Sequence, residues 1–188
     1  MHIPALVLTL APAHAAPVTF QVTATVDYVD DWGGVLMGLV PTGATITFDY
    51  TYDTATPDTS PLADLGHYEH TTAPYGVRVN MGPWVLGTDP TNVDFIVQYL
   101  NDRHSVDSFL FRSSYNTTFS GPPLPIDGVD WQLADPTASA LSSTAPVPIT
   151  LSAWAASSGV QIYGTDPSSP VPWHVTAHAV DIRPVPHL

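Results

Sequence analysis

The sequence predicts an all-β protein, a single-domain and mainly antiparallel β-sandwich of jelly-roll type with its N- and C-terminal strands adjacent. Three observations carry that expectation. Thr45–Asp58 alternates strictly, with Ile46, Phe48, Tyr50 and Tyr52 against Thr45, Thr47, Asp49 and Thr51, before it runs into an Asp/Thr/Pro turn. A period of two puts successive side chains on opposite faces of a sheet, and only one face then needs a core. No sustained period of 3.6 residues is present. The 20 prolines and 12 glycines sit mostly between the alternating runs, where a many-stranded sandwich needs turns and a helical bundle would lose backbone hydrogen bonds. With 188 residues the chain is long enough to bury one core unaided by metal or disulfide.

In chain order, residues 1–16 read as the remnant of a secretory signal peptide. Ile3–Leu10 is apolar and Ala11-Pro12-Ala13-His14-Ala15-Ala16 offers small-residue cleavage sites, although no Lys or Arg precedes the run. The run falls well short of the ~20 apolar residues that cross a bilayer, and no later segment comes close, so no membrane-spanning segment is expected. The domain takes residues 17–188. Val18–Val29 alternates and Asp30-Asp31-Trp32-Gly33-Gly34 breaks it; Thr45–Asp53 follows, then a Pro/Asp/Thr loop to about Asp64. Gly76–Met81 turns through Gly82-Pro83 into Trp84–Leu86, and Val93–Leu100 and Ser105–Arg112 flank Asn101-Asp102-Arg103 as a hairpin. Val129–Leu133, Gly159–Tyr163 and Val171–Ile182 complete the set. Phe20-Gln21-Val22-Thr23-Ala24 and Trp173-His174-Val175-Thr176-Ala177 match in character, which predicts that the first and last strands are neighbours.

Charge limits the partners. Four bases, all arginine (Arg78, Arg103, Arg112, Arg183), stand against 17 acids, all aspartate except Glu69, for a formal charge of −13. Such a surface repels phosphate backbones and anionic headgroups, which disfavours nucleic acid and leaves cations, neutral glycans and proteins. The absence of cysteine excludes disulfides and thiolate metal sites.

Phe48-Asp49-Tyr50-Thr51-Tyr52-Asp53-Thr54-Ala55-Thr56-Pro57-Asp58, with Pro74-Tyr75-Gly76-Val77-Arg78-Val79, Leu133-Ala134-Asp135-Pro136-Thr137 and Ala140-Leu141-Ser142-Ser143, resembles a group of secreted bacterial proteins that usually carry a PEP-CTERM sorting tail and share a domain of unassigned activity. The resemblance implies export and a life at the cell surface or in its polysaccharide matrix. Arg183-Pro184-Val185-Pro186-His187-Leu188 looks like the approach to such a tail, without the Pro-Glu-Pro motif, apolar segment and basic cluster.

Several residues are candidates for chemistry. In an extended segment His67 and Glu69 share a face about 6.6 Å apart and His70 points away unless the backbone turns; the three are transition-metal candidates, or else a solvated polar loop. Asp53, Asp58 and Asp64 in one loop, and Asp30 and Asp31 with Asp27 in another, supply oxygens suited to calcium, or act as ordinary turn formers. His174 and His178 lie roughly 13 Å apart on a strand, too far to share an ion. His14 at a mature N-terminus would open a copper-binding brace. Trp32, in a turn, is the tryptophan most open to a ligand or to a capping role. No Gly-x-Ser-x-Gly elbow or phosphate loop is present.

The resulting expectation is a secreted, non-catalytic surface or matrix protein, possible calcium included, that works by self-association or polysaccharide binding. An extended Pro17–Thr19 would dock on a neighbour's open sheet edge. The alternative is a secreted metal-dependent enzyme acting on an extracellular polymer through His67, Glu69 and His70.

Overall fold

The computed structural model describes residues 17–154, 157–166 and 171–186, with the backbone alone for 157 and 158. The segment 1–16, His14 included, and the last two residues of the expected domain lie outside the described residues. The elements are β1 (Val18–Asp31), β2 (Thr45–Tyr52), β3 (Leu65–His70), β4 (Gly76–Met81), β5 (Trp84–Thr88), β6 (Phe95–Arg103), β7 (Val106–Ser113), β8 (Asn116–Ser120), β9 (Gly128–Asp135), β10 (Ser157–Thr165) and β11 (Pro172–Val185), with one short 3-10 turn at Leu151–Ala153.

All the strands belong to one antiparallel sheet, in the order β3-β6-β7-β9-β10-β11-β1-β2-β4-β5-β8. The protein is all-β and antiparallel, as the alternation predicts, but its two layers are halves of one continuous sheet curled into a half-barrel. The apolar face closes on itself. Phe48 of β2 meets Phe111 of β7 and Trp131 of β9 edge-on, at 5.7 and 5.6 Å between ring centroids, although β10, β11 and β1 lie between β9 and β2 in the sheet. Trp84, Trp131 and Trp173 are fully buried there with Tyr50, Tyr52 and Tyr99. Removing one large apolar side chain from water contributes about 1.5–3 kcal/mol, so this aromatic interior is the main source of stability.

The terminal strands are neighbours. β1 pairs with β11 from Thr19↔Val185 to Asp31↔Trp173. Because the pairing is antiparallel, Phe20 lies opposite Pro184 and Trp173 at the far end, not beside Phe20. The other side of β1 pairs with β2 from Val18↔Tyr52 to Thr25↔Thr45. This corrects the docking expectation for Pro17–Thr19: Thr19 is held between β11 and β2, and Val18 pairs with Tyr52 of β2.

Other points also differ from the sequence reading. β1 runs on through Asp30 and Asp31, whose backbones pair with His174 and Trp173. The β6–β7 turn falls after Arg103 rather than at 101–103, with Asp102, His104 and Ser105 at positive φ. β3 and β8, at the two edges of the sheet, were not anticipated as strands.

A loop contacts each edge strand. On β3, the His67 N–H donates to Asp58 Oδ1 at 2.9 Å, and the Thr59 N–H donates to the His67 carbonyl at 2.9 Å. On β8, Thr118 Oγ1 donates to the Leu124 carbonyl and accepts from the Leu124 N–H, at 3.2 and 3.3 Å. On β3 the loop thus takes both backbone groups of His67, which an open edge would offer to another chain, whereas on β8 the loop is held by the Thr118 side chain.

Candidate ligand-binding groove on the polar face

The outward face of β1, β2 and β4 carries a polar row set by register: Arg183, Gln21, Asp49 and Arg78 lie side by side on four successive strands. Arg183 Nε donates to Gln21 Oε1 at 3.2 Å, and Gln21 Nε2 donates to Asp49 Oδ1 at 3.0 Å. Arg78 turns the other way and places its guanidinium 4.7 Å from the centroid of the Phe119 ring, a cation–π contact. Among the described residues no carboxylate lies within 4.0 Å of Arg78, whereas Arg103 and Arg112 pair with Asp64 and Asp130 at 3.7 and 3.3 Å.

A groove of about 380 Å³ opens here, walled by Asp49, Thr51, Tyr75, Arg78, Pro90 and Phe119. Phe119, which is 39% exposed, also lines a second hollow of about 610 Å³ with Val35, Leu124, Ile126 and Asp166. The two hollows share that ring, so Phe119 divides a channel of two adjoining hollows at the edge strand β8.

The Tyr75 wall is built from residues that the sequence offered as metal ligands. Tyr75 Oη donates to Asp53 Oδ2 at 3.3 Å, and its ring lies 4.9 Å from the His70 ring. His70 Nε2 accepts the Asp53 N–H at 3.0 Å, which leaves the proton on the other ring nitrogen and the imidazole neutral. Burial holds its pKa below the usual histidine value against the opposing pull of Asp53. Behind Tyr75, Gly76 has φ 137°, and a Cβ there would stand 2.4 Å from Thr88 Oγ1. Glycine is required because Thr88 Oγ1 comes in to accept the Val77 N–H at 2.9 Å.

The remaining candidates are dispersed. His67 and Glu69 do come together, Nε2 to Oε1 at 3.0 Å, with His67 Nδ1 on Gln98 Nε2 at 2.7 Å; His70 points to the opposite, buried face. Asp31 accepts the Val35 and Leu36 N–H groups with its two oxygens at 2.7 and 2.9 Å. Asp58 Oδ1 accepts from Ser60 and His67, Asp64 faces Arg103, and Asp27 meets His178 Nδ1 at 2.6 Å. Asp30 pairs by backbone with His174. Among the described residues no group of three or more His, Asp or Glu converges in a way that could hold a metal ion. Trp32 is 85% exposed; Val35 of the same loop lines the second hollow and Trp32 does not.

The chain matches no family model, no curated protein and no solved structure. The groove therefore has to be read from its own side chains. Sequence reasoning missed Tyr75, Arg78 and Phe119. The available signal was the short alternation Tyr115, Thr117, Phe119, which marks β8 as a strand with outward aromatics.

Proposed function

We propose that this is an exported, non-catalytic surface or extracellular-matrix protein that binds polysaccharide along the channel divided by Phe119. The observation that carries the reading is the Phe119 ring itself: one side is backed by the Arg78 guanidinium, and the ring borders both hollows. An aromatic ring between two open hollows suits the C–H face of a sugar, and Arg78, Asp49 and Thr51 offer hydroxyls both donors and acceptors. Two adjoining open hollows that share one ring fit a run of sugars better than a compact metabolite. Export rests on the reading of residues 1–16 and on the resemblance to PEP-CTERM proteins.

Affinity electrophoresis through gels containing soluble bacterial exopolysaccharide, xylan or dextran tests this. Retardation of the wild type by at least one polymer, lost in Phe119→Ala at unchanged melting temperature, is the expected outcome. Equal mobility of both proteins in every gel overturns it. Release of reducing ends by the wild type, abolished in His67→Ala, would instead establish the metal-dependent enzyme.

A further inference from the structure

Gly159 lies inside β10 on the polar face, and among the strand glycines it alone has no packing reason to be glycine. A Cβ built at Gly66, Gly76, Gly87, Gly128 or Gly164 would stand 2.0 to 2.4 Å from a neighbouring atom, whereas at Gly159 nothing among the described residues lies within 4 Å and φ is outside the left-handed range. Glycine weakens a strand interior and often marks the place where a ligand approaches the backbone. Above Gly159 is a hollow of about 220 Å³, separate from the Phe119 channel.

Register builds this hollow from two adjacent rows. Leu110, Gln132 and Gly159 form one, and Arg112, Asp130 and Gln161 the other. Arg112 donates to Asp130 through Nε and Nη2, each at 3.3 Å, so the guanidinium fork is fixed and the pair is close to neutral. The Asp130 side chain is only 12% exposed. Gln132 and Gln161 make no side-chain hydrogen bond among the described residues, so two carboxamides, each a donor and an acceptor, are free to face a ligand. Half-buried Leu110 adds an apolar patch.

We propose that this hollow is a second binding site, for a single neutral sugar ring, either free or at the end of a chain. Vicinal hydroxyls donate and accept at short spacing, which the paired carboxamides and the oriented guanidinium can match. A charged ligand would meet one member of the Arg112–Asp130 pair with the wrong sign. Gly159 lets the ring sit down on the backbone, and Leu110 takes a C–H face. The site stands on these residues and not on the channel reading.

Saturation-transfer NMR on the full chain, with the methyl glycosides of glucose, galactose, mannose and xylose as probes, decides the matter. The expected result is transfer to the ring protons of at least one glycoside, lost in Gly159→Val, weakened at least severalfold in the Gln132→Ala/Gln161→Ala double variant and retained in Phe119→Ala. Valine fits the open space over β10, and the double variant carries the test independently of it. Transfer from none of the four, transfer unchanged in Gly159→Val or in the double variant, or transfer abolished by Phe119→Ala each overturns the assignment. Polysaccharide retardation tests the channel separately, so either site can fail alone.

Discussion

His70 illustrates how one position can look like a ligand in the sequence and serve another purpose in the fold. Its neighbours His67 and Glu69 face outward, but the strand period turns His70 into the core, where Nε2 accepts a backbone proton and the ring backs Tyr75. Since its folded pKa is lowered, the unfolded chain binds more protons near and below pH 6.5, so stability falls as pH drops through that value toward the lowered one. Urea titrations between pH 7.5 and 5 should show this loss in the wild type and a flatter profile in His70→Gln. The aspartates offered as calcium ligands are legible as turn formers from composition alone, but their acceptors are not, because hydrogen bonds such as Asp31 to Val35 and Leu36 depend on loop geometry. Asp31→Ala removes the acceptor for two amides and should cost about 1–2 kcal/mol. The same loss in calcium and in chelator identifies a cap; a loss confined to calcium identifies a metal ligand. At the channel, Phe119→Ala should weaken polysaccharide binding about tenfold or more, the effect of removing an aromatic anchor worth at least about 1.4 kcal/mol.

Strands with a long apolar/polar alternation were legible, and short edge strands were not. β1, β2 and β11 announce themselves because each buries a row of side chains against the core. β3 contains Gly66, two histidines and a glutamate, so its chemistry hid its period; β8 has only five residues, two of them exposed. The channel borders β8, and missing that strand meant missing the site. The loop over β3 works as an edge guard through Asp58 and Thr59. Asp58→Ala leaves the His67 N–H without its acceptor, at about 1 kcal/mol, and opens the edge to another chain. Light scattering at increasing concentration should detect association in this variant that the wild type lacks, whereas identical profiles would show that the remaining Thr59 contact suffices.

At the scale of the whole molecule, composition anticipated the class but not the closure. Nothing in the spacing of the strands tells two sheets from one curled sheet, because both bury the same alternating residues; only the pairing of β1 with both β11 and β2 makes the layers continuous. The formal charge of −13 spread over this surface predicts that salt screens self-repulsion and raises the melting temperature modestly between low ionic strength and about 0.15 M, where the Debye length is about 8 Å. Calorimetry across that range, with sodium and magnesium chloride matched in ionic strength, separates screening from specific binding.

The central position of β1 also governs when the protein can come into being. Its partner β11 is the last of the described strands in chain order, and Thr19 must find Val185 far along the sequence. Pairings of such sequence separation carry a large loop-closure cost and make folding slow. During synthesis one side of β1 has no partner until β11 has been made, so the sheet cannot be completed strand by strand in chain order. The two halves of the sheet are joined through β1 only when β11 arrives beside it.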